Sequence, residues 1–192
     1  MGWFGRKSRE KVRDDLLRKM GQGKVCAEIG VFRGDFSERI LLISRPSRLH
    51  LIDPWKYEPD PSYEKAVYGS GAAKGQPAMD GIFNSVRERF EQEIQVGTVV
   101  VHRTASSEAA GNFADGYFDW VYIDGNHLYE FVMGDLESYA PKVKAGGYIA
   151  GDDYGAAGWW KDGVTRAVDE FAARGDYVKK LGSAGQFLLR KQ

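Results

Sequence analysis

The sequence predicts an α/β fold: a Rossmann-like, seven-stranded, mostly parallel sheet with helices on both faces and an antiparallel last strand. Three observations predict it. Short apolar runs alternate with amphipathic stretches along the chain, the pattern of strands connected through helices. The first apolar run ends in a glycine-bearing turn, Glu28-Ile29-Gly30-Val31-Phe32-Arg33-Gly34. The last two runs, Tyr177–Leu181 and Gln186–Leu189, are separated only by Gly182-Ser183-Ala184-Gly185, the spacing of a closing hairpin.

Residues 1–22 read as an N-terminal amphipathic helix and residues 23–192 as one domain. In Ser8–Met20, leucines and a valine recur at helical spacing among alternating charges, so this helix caps the sheet with its charged face outward. Glu10, Asp14 and Asp15 interrupt its positive charge and argue against a basic nucleic-acid arm. Strands follow at Val25–Ile29 and Leu49–Ile52, the second stopped by Asp53-Pro54, with a helix at Asp35–Ile43 between them. Pro54–Met79 is long, rich in Pro and Gly, and dotted with Trp55, Tyr57, Tyr63 and Tyr68. Such a connection serves either as a lid on substrate or as packing on the sheet edge. Val86–Ile94 is helical and Thr98–His102 is the third strand. Tyr117–Ile123 is the fourth, followed by a helix at Leu128–Tyr139; Tyr148–Ala150 is the core of the fifth, followed by a helix at Val164–Phe171.

The 192 residues are 43% hydrophobic and 28% charged, with 27 basic and 27 acidic side chains. Such a chain has no global field to draw it to nucleic acid or an anionic membrane. The single cysteine, Cys26, excludes an internal disulfide framework and a cysteine-based zinc site. No apolar run approaches the roughly 20 residues of a membrane span, and Met1–Met20 carries no secretory core. These features place the chain in the cytoplasm, as an enzyme or binding domain.

The first turn selects the cofactor. A dinucleotide site wants G-x-G-x-x-G, because the pyrophosphate lies against bare backbone amides. Here Glu28 stands at the position of the first glycine. A carboxylate opposes a pyrophosphate and suits a ligand with no phosphate and a positive amino group, as in S-adenosylmethionine. Gly30 lets backbone approach that ligand, Gly34 lets the helix pack on the strand, and Asp53, 23 residues beyond Gly30, accepts hydrogen bonds from ribose hydroxyls. The structural alternative for Glu28 is a helix cap.

Strands four and five end in Asp124-Gly125-Asn126-His127 and Gly151-Asp152-Asp153-Tyr154. If these strands are parallel neighbours, their ends lie about 5 Å apart. Two carboxylates at that distance repel by roughly 3 kcal/mol at an effective dielectric near 20, so Asp124, Asp152 and Asp153 call for a proton or a cation. Hard oxygen donors favour Mg²⁺ or another divalent cation. That ion would depress the pKa of a substrate hydroxyl, and His127 is placed to take its proton or to ligate the metal. The alternative is that these aspartates cap a helix and order a turn, with His127 simply hydrogen-bonded. His50 and His102 lie within strands and read as structural.

Taken together, Glu28-Ile29-Gly30…Gly34, Asp53, Asp124-Gly125-Asn126-His127-Leu128-Tyr129-Glu130, Asp135-Leu136 and Gly146-Gly147-Tyr148-Ile149-Ala150-Gly151-Asp152-Asp153-Tyr154 resemble the class I S-adenosylmethionine-dependent methyltransferases. The likeness is strongest to the small bacterial group of macrocin-type sugar O-methyltransferases and cephalosporin-hydroxylase-like proteins, over Lys24–Leu189. The resemblance implies a seven-stranded sheet, a metal held by Asp124, Asp152 and Asp153, and adenine lined by Thr104, Ala105 and Ser106. Sugar-modifying relatives carry an acidic base two residues after the first metal acid. Asn126 stands there, which leaves His127, with Asp124, as the catalytic candidate.

The leading expectation is a metal-assisted O-methyltransferase acting on a small hydroxylated acceptor, a sugar or a natural-product diol, with no nucleic-acid or membrane partner. A homo-oligomer stays open, since the charged first helix offers a surface to a second copy. Two rivals share the fold: a cephalosporin-hydroxylase-like enzyme, and a non-catalytic cofactor- or partner-binding module using the Pro54–Met79 connection and Trp159-Trp160.

Overall fold

A computed structural model describes residues 9–60, 63, 66, 68, 75–183 and 185–192. In chain order the elements are α1 (Arg9–Met20), β1 (Val25–Ile29), α2 (Asp35–Ser44), β2 (Arg48–Asp53), α3 (Gln76–Arg89), α4 (Glu91–Gln95) and β3 (Val99–Arg103). Then come α5 (Ser106–Ala110), β4 (Phe118–Ile123), α6 (Tyr129–Tyr139), β5 (Val143–Tyr154), α7 (Gly163–Ala172), β6 (Tyr177–Ser183) and β7 (Gly185–Lys191). The seven strands lie in the order β3-β2-β1-β4-β5-β7-β6. Strands β1 to β5 run parallel, whereas β7 runs antiparallel to both β5 and β6. The expected sheet, including its antiparallel final strand, is present.

Strand alternation divides the core. Ala27, Ile29, Val121, Ile123 and Ile149 face α6 and α7, where Val132, Leu136, Val164 and Phe171 complete one cluster. Cys26, Leu49, Leu51, Trp120 and Tyr122 face the other side, against α1, α2 and α3. Glu28 lies two residues from Cys26 and so points to that second side. Leu16, Leu17 and Met20 of α1 are buried in this cluster, so the first helix is built into the core through its C-terminal half.

Several elements differ from the sequence reading in extent. The helix expected at Val86–Ile94 is two, α3 and α4, broken at Phe90. The long connection ends earlier than Met79, because α3 begins at Gln76 with Pro77 in its first turn, where a missing N–H is harmless. The fifth strand extends to Val143–Tyr154 and shifts register against β4 between Phe118 and Trp120. His50 and His102 are structural: His50 Nδ1 lies 2.9 Å from His102 Nε2, and burial lowers the His50 pKa to about 4. No helix among the described residues is long and apolar enough to cross a membrane.

Because β1 lies between β2 and β4, the chain leaves it in opposite directions on its two sides. Ligands of open α/β sheets bind at such a switch point, beyond the carboxyl ends of the strands. Glu28, Asp53, Asp124, Asp152 and Asp153 all belong to strand ends bordering this crevice.

Candidate active site

The crevice has two halves. In the first, the turn after β1 is shaped by Gly30 at φ +86°, where a Cβ would stand 2.2 Å from the Asp124 carbonyl oxygen. Only glycine lets the turn lie this close to the end of β4. Gly34, at φ +78°, precedes α2, and a Cβ there would press to 2.7 Å against the Phe90 ring. Its freedom thus serves helix packing against α3 as well as the turn.

Asp53 organises this turn. Its Oδ2 accepts the backbone N–H of Val31 at 2.9 Å and of Phe32 at 3.0 Å, together with the Tyr68 hydroxyl. Its Oδ1 accepts the Trp55 N–H at 2.7 Å. Burial raises the Asp53 pKa, and these four donors oppose the rise. Glu28 is 1% exposed and accepts the Ser37 hydroxyl at 2.5 Å. Burial pushes its carboxyl up to about 8, despite the Ser37 bond. Glu28 is therefore protonated at neutral pH, a buried acid with no counter-charge in hydrogen-bond contact.

Beyond β2 and β3 lies a cleft of about 410 Å³ whose lining includes Pro54, Trp55, Gln76, Thr104 and Ala105. The Thr104 hydroxyl donates to Glu108, and Ser106 donates to Asp135 at 2.5 Å. Burial lifts the Asp135 pKa to about 6. Of the three residues expected at the adenine, Thr104 and Ala105 border this cleft, and Ser106 turns toward α6.

The second half lies at the ends of β4 and β5, parallel neighbours with Ile123 registered on Gly151. Asp124, His127 and Asp153 converge, each offering a ligand atom within 4.8 Å of the others. His127 Nε2 is 2.6 Å from Asp153 and 3.6 Å from Asp124. Burial lowers the imidazole pKa, but hydrogen bonding to the two carboxylates wins and carries it up to about 9. The Asp153 backbone sits at φ +59°, a left-handed conformation that breaks the strand alternation.

Asp152 stands outside that group. Its buried carboxylate accepts Gln186 from β7 at 2.5 Å and meets two arginines of α1. Arg9 reaches Asp152 at 2.6 Å and Asp153 at 3.0 Å. Arg13 bridges Asp124, at 2.6 Å, and Asp152. The Arg13 guanidinium lies 4.9 Å from the centre of the Phe36 ring and 5.9 Å from that of Tyr122. Three carboxylates are thus matched by two guanidinium groups and a protonated imidazole.

A row of aromatic rings borders this half. Trp160 lies 4.7 Å from His127, Trp159 packs edge-on to Trp160, and Tyr63 packs on Trp159 at 5.4 Å. Asn126 donates to the Tyr63 hydroxyl at 3.0 Å and accepts the Leu128 N–H, so it ties the long connection to the turn after β4. Trp55 is fully buried and Tyr68 seals Asp53, so the connection both packs on the sheet and reaches the site. Other residues of this connection, among them 61–62 and 69–74, lie outside the described ones.

Sequence reasoning singled out neither Arg9 nor Arg13, nor Ser37 and Gln186. The one available signal was spacing: Arg9 and Arg13 lie four apart, on the helical stripe that continues through Leu17.

A family model described as a methyltransferase domain matches residues 27–154. Among solved structures, the chain is similar to a Clostridium thermocellum protein carrying the provisional name rRNA-methylase, with TM-score 0.66, 11% identity, and coverage of 98% of this chain and 99% of that one. It is also similar to SMU.1697c of Streptococcus mutans, provisionally a methyltransferase and solved with SAH, with TM-score 0.63, 11% identity, and coverage of 98% and 100%. The O-methyltransferase NovP gives TM-score 0.63 and 20% identity over 96% of this chain and 79% of that one. No curated protein matches the sequence.

Proposed function

The chain belongs to the methyltransferase domain family, and from that premise we propose that it is an O-methyltransferase which transfers the methyl of S-adenosylmethionine to a hydroxyl of a small molecule. The cofactor half suits a cationic nucleoside. Among the described residues no cation hydrogen-bonds the buried Glu28 carboxyl, and the amino group of the cofactor would supply one. A ribose hydroxyl would take the place of Tyr68 on Asp53, and the cleft beside Thr104 and Ala105 would take the adenine.

The observation that carries O-methyl transfer is the convergence of Asp124, His127 and Asp153 beside the Tyr63–Trp159–Trp160 rings. Two carboxylates and an imidazole fit a divalent cation, whose binding would displace the proton that His127 holds. The nitrogen donor favours Mn²⁺ over the Mg²⁺ expected from three acids. When bound, the ion would lower the pKa of a coordinated hydroxyl. The aromatic row would hold a ring or the apolar face of a sugar so that its hydroxyl oxygen faces the methyl group. With the hydroxyl proton released to solvent, that oxygen forms the new C–O bond as the C–S bond breaks, and S-adenosylhomocysteine (SAH) leaves. A small acceptor is also in keeping with the balanced charge, 27 against 27, which supplies no net attraction to a polyanion.

Calorimetry on the purified protein tests both halves. SAH should bind, Mn²⁺ should bind, and Asp153→Asn should weaken Mn²⁺ by about tenfold or more while leaving SAH affinity unchanged. A second reading follows from the charge balance of Arg9, Arg13 and His127 against the three aspartates. In it no ion is needed, and His127, oriented by Asp153, accepts the hydroxyl proton after releasing to solvent the proton it holds between the two carboxylates. Turnover that survives excess EDTA, with Mn²⁺ failing to bind, would select this second reading.

A further inference from the structure

We propose that Arg13 is the binding residue for the carboxylate of the cofactor's amino-acid end, so that Glu28 and Arg13 together read the zwitterion. The inference rests on the S-adenosylmethionine reading above and goes beyond it, because α1 lies outside the strand-end residues from which that reading is built.

A free α-amino acid end carries opposite charges only a few ångströms apart. A site that binds it directly must set an acid and a base at similar spacing. Glu28 is registered opposite Tyr122 across the parallel β1–β4 pair, so the two side chains leave the sheet on the same face. The Arg13 guanidinium lies over that same Tyr122 ring. Both groups therefore border one aromatic side chain at the switch point of the sheet.

Arg13 is also incompletely used. Its Nη2 serves Asp124 and Asp152, while its Nε is buried with no hydrogen-bond partner among the described residues. An orphaned donor on a charged group is costly, and a carboxylate is the acceptor that matches a guanidinium edge. Arg13 and Phe36 line a cleft of about 450 Å³ between α1 and the first turn of α2. The other charges lining it are mostly engaged elsewhere. Asp14 is held by Arg39, Asp35 by Arg89 at 2.7 Å, and Arg9 by Asp152 and Asp153; Glu10 stands exposed at the rim. The cleft thus offers Arg13, through its unpartnered Nε, next to the helix start that follows the glycine turn.

Binding of two ligands separates this role from a structural one. SAH carries both charges, whereas its aminopropyl analogue keeps the amine and lacks only the carboxylate. For the unmodified protein, SAH should bind the more tightly. Arg13→Gln should weaken SAH by about tenfold or more and leave the analogue within about twofold. Arg13→Lys, which keeps the charge without the fork, should retain part of the SAH preference. Equal losses for both ligands, or an unchanged preference in Arg13→Gln, would overturn the assignment. Failure of the unmodified protein to bind either ligand would instead remove the cofactor reading and this inference with it.

Discussion

The two halves of the crevice hold their acids by opposite means. On the cofactor side, Glu28 and Asp53 are served by neutral donors alone: hydroxyls of Ser37 and Tyr68 and backbone N–H groups of Val31, Phe32 and Trp55. On the acceptor side, Asp124, Asp152 and Asp153 are matched by guanidinium and imidazole cations. Burial consequently raises the carboxyl pKa values of the first pair, while ion pairing lowers that of Asp153. One half waits for a positive charge and the other already contains its own. That asymmetry suits a reaction in which a cationic donor meets a hydroxyl that has to lose its proton.

Removing Asp53 should break the first half most severely. Asp53→Ala strands three backbone N–H groups that shape the glycine turn, two of them buried, so about 3 kcal/mol should be lost in urea denaturation, along with SAH binding. A loss below about 1 kcal/mol would show that the turn does not depend on this carboxylate.

Glu28→Gln should act in the other direction. The folded carboxyl titrates near 8 and its ordinary value is 4.5, so between these values the folded state holds a proton that the unfolded chain releases. Stability of the unliganded protein therefore falls as pH rises from about 4.5 toward 8, and the slope vanishes above. Glutamine removes that slope and should stabilise the protein at pH 8 by on the order of 2 kcal/mol while weakening SAH. Identical pH profiles for variant and parent would refute the neutral-acid description.

Arg9→Ala is the mildest of the three. Arg9 is 53% exposed on its side chain, and Asp152 keeps Arg13 and Gln186, so solvent-screened loss should stay near 0.5 kcal/mol and shrink further in high salt. A loss as large as that of Asp53→Ala would mean that the two halves depend on their partners equally.

The strands and the antiparallel end of the sheet were legible because burial and turn spacing impose them. Val25–Ile29 and Tyr117–Ile123 are apolar runs too short to be helices, and only the crossing order puts their polar ends together. Asp124, His127 and Asp153 were legible for the same reason, as the groups that follow strands. What escaped was the destination of Asp152. A sequence shows adjacent aspartates but not the left-handed residue that sends one to His127 and leaves the other with α1. Arg9 and Arg13 escaped for a related reason. The buried stripe of α1 runs through Met20, Leu17 and Leu16 and then continues as two arginines, which by composition look like a solvated face. Their ion pairs are with acids more than a hundred residues away.

Gln186 ties these themes to the C-terminal hairpin. It accepts the Tyr122 hydroxyl at 2.7 Å and donates to Asp152, so β7, the neighbour of β5 in the sheet, braces β4 and β5 at once. Anyone reshaping this protein for bulkier acceptors should therefore treat the terminal hairpin as scaffolding and carve room at the Tyr63–Trp159 ring pair, keeping the bond by which Asn126 holds Tyr63.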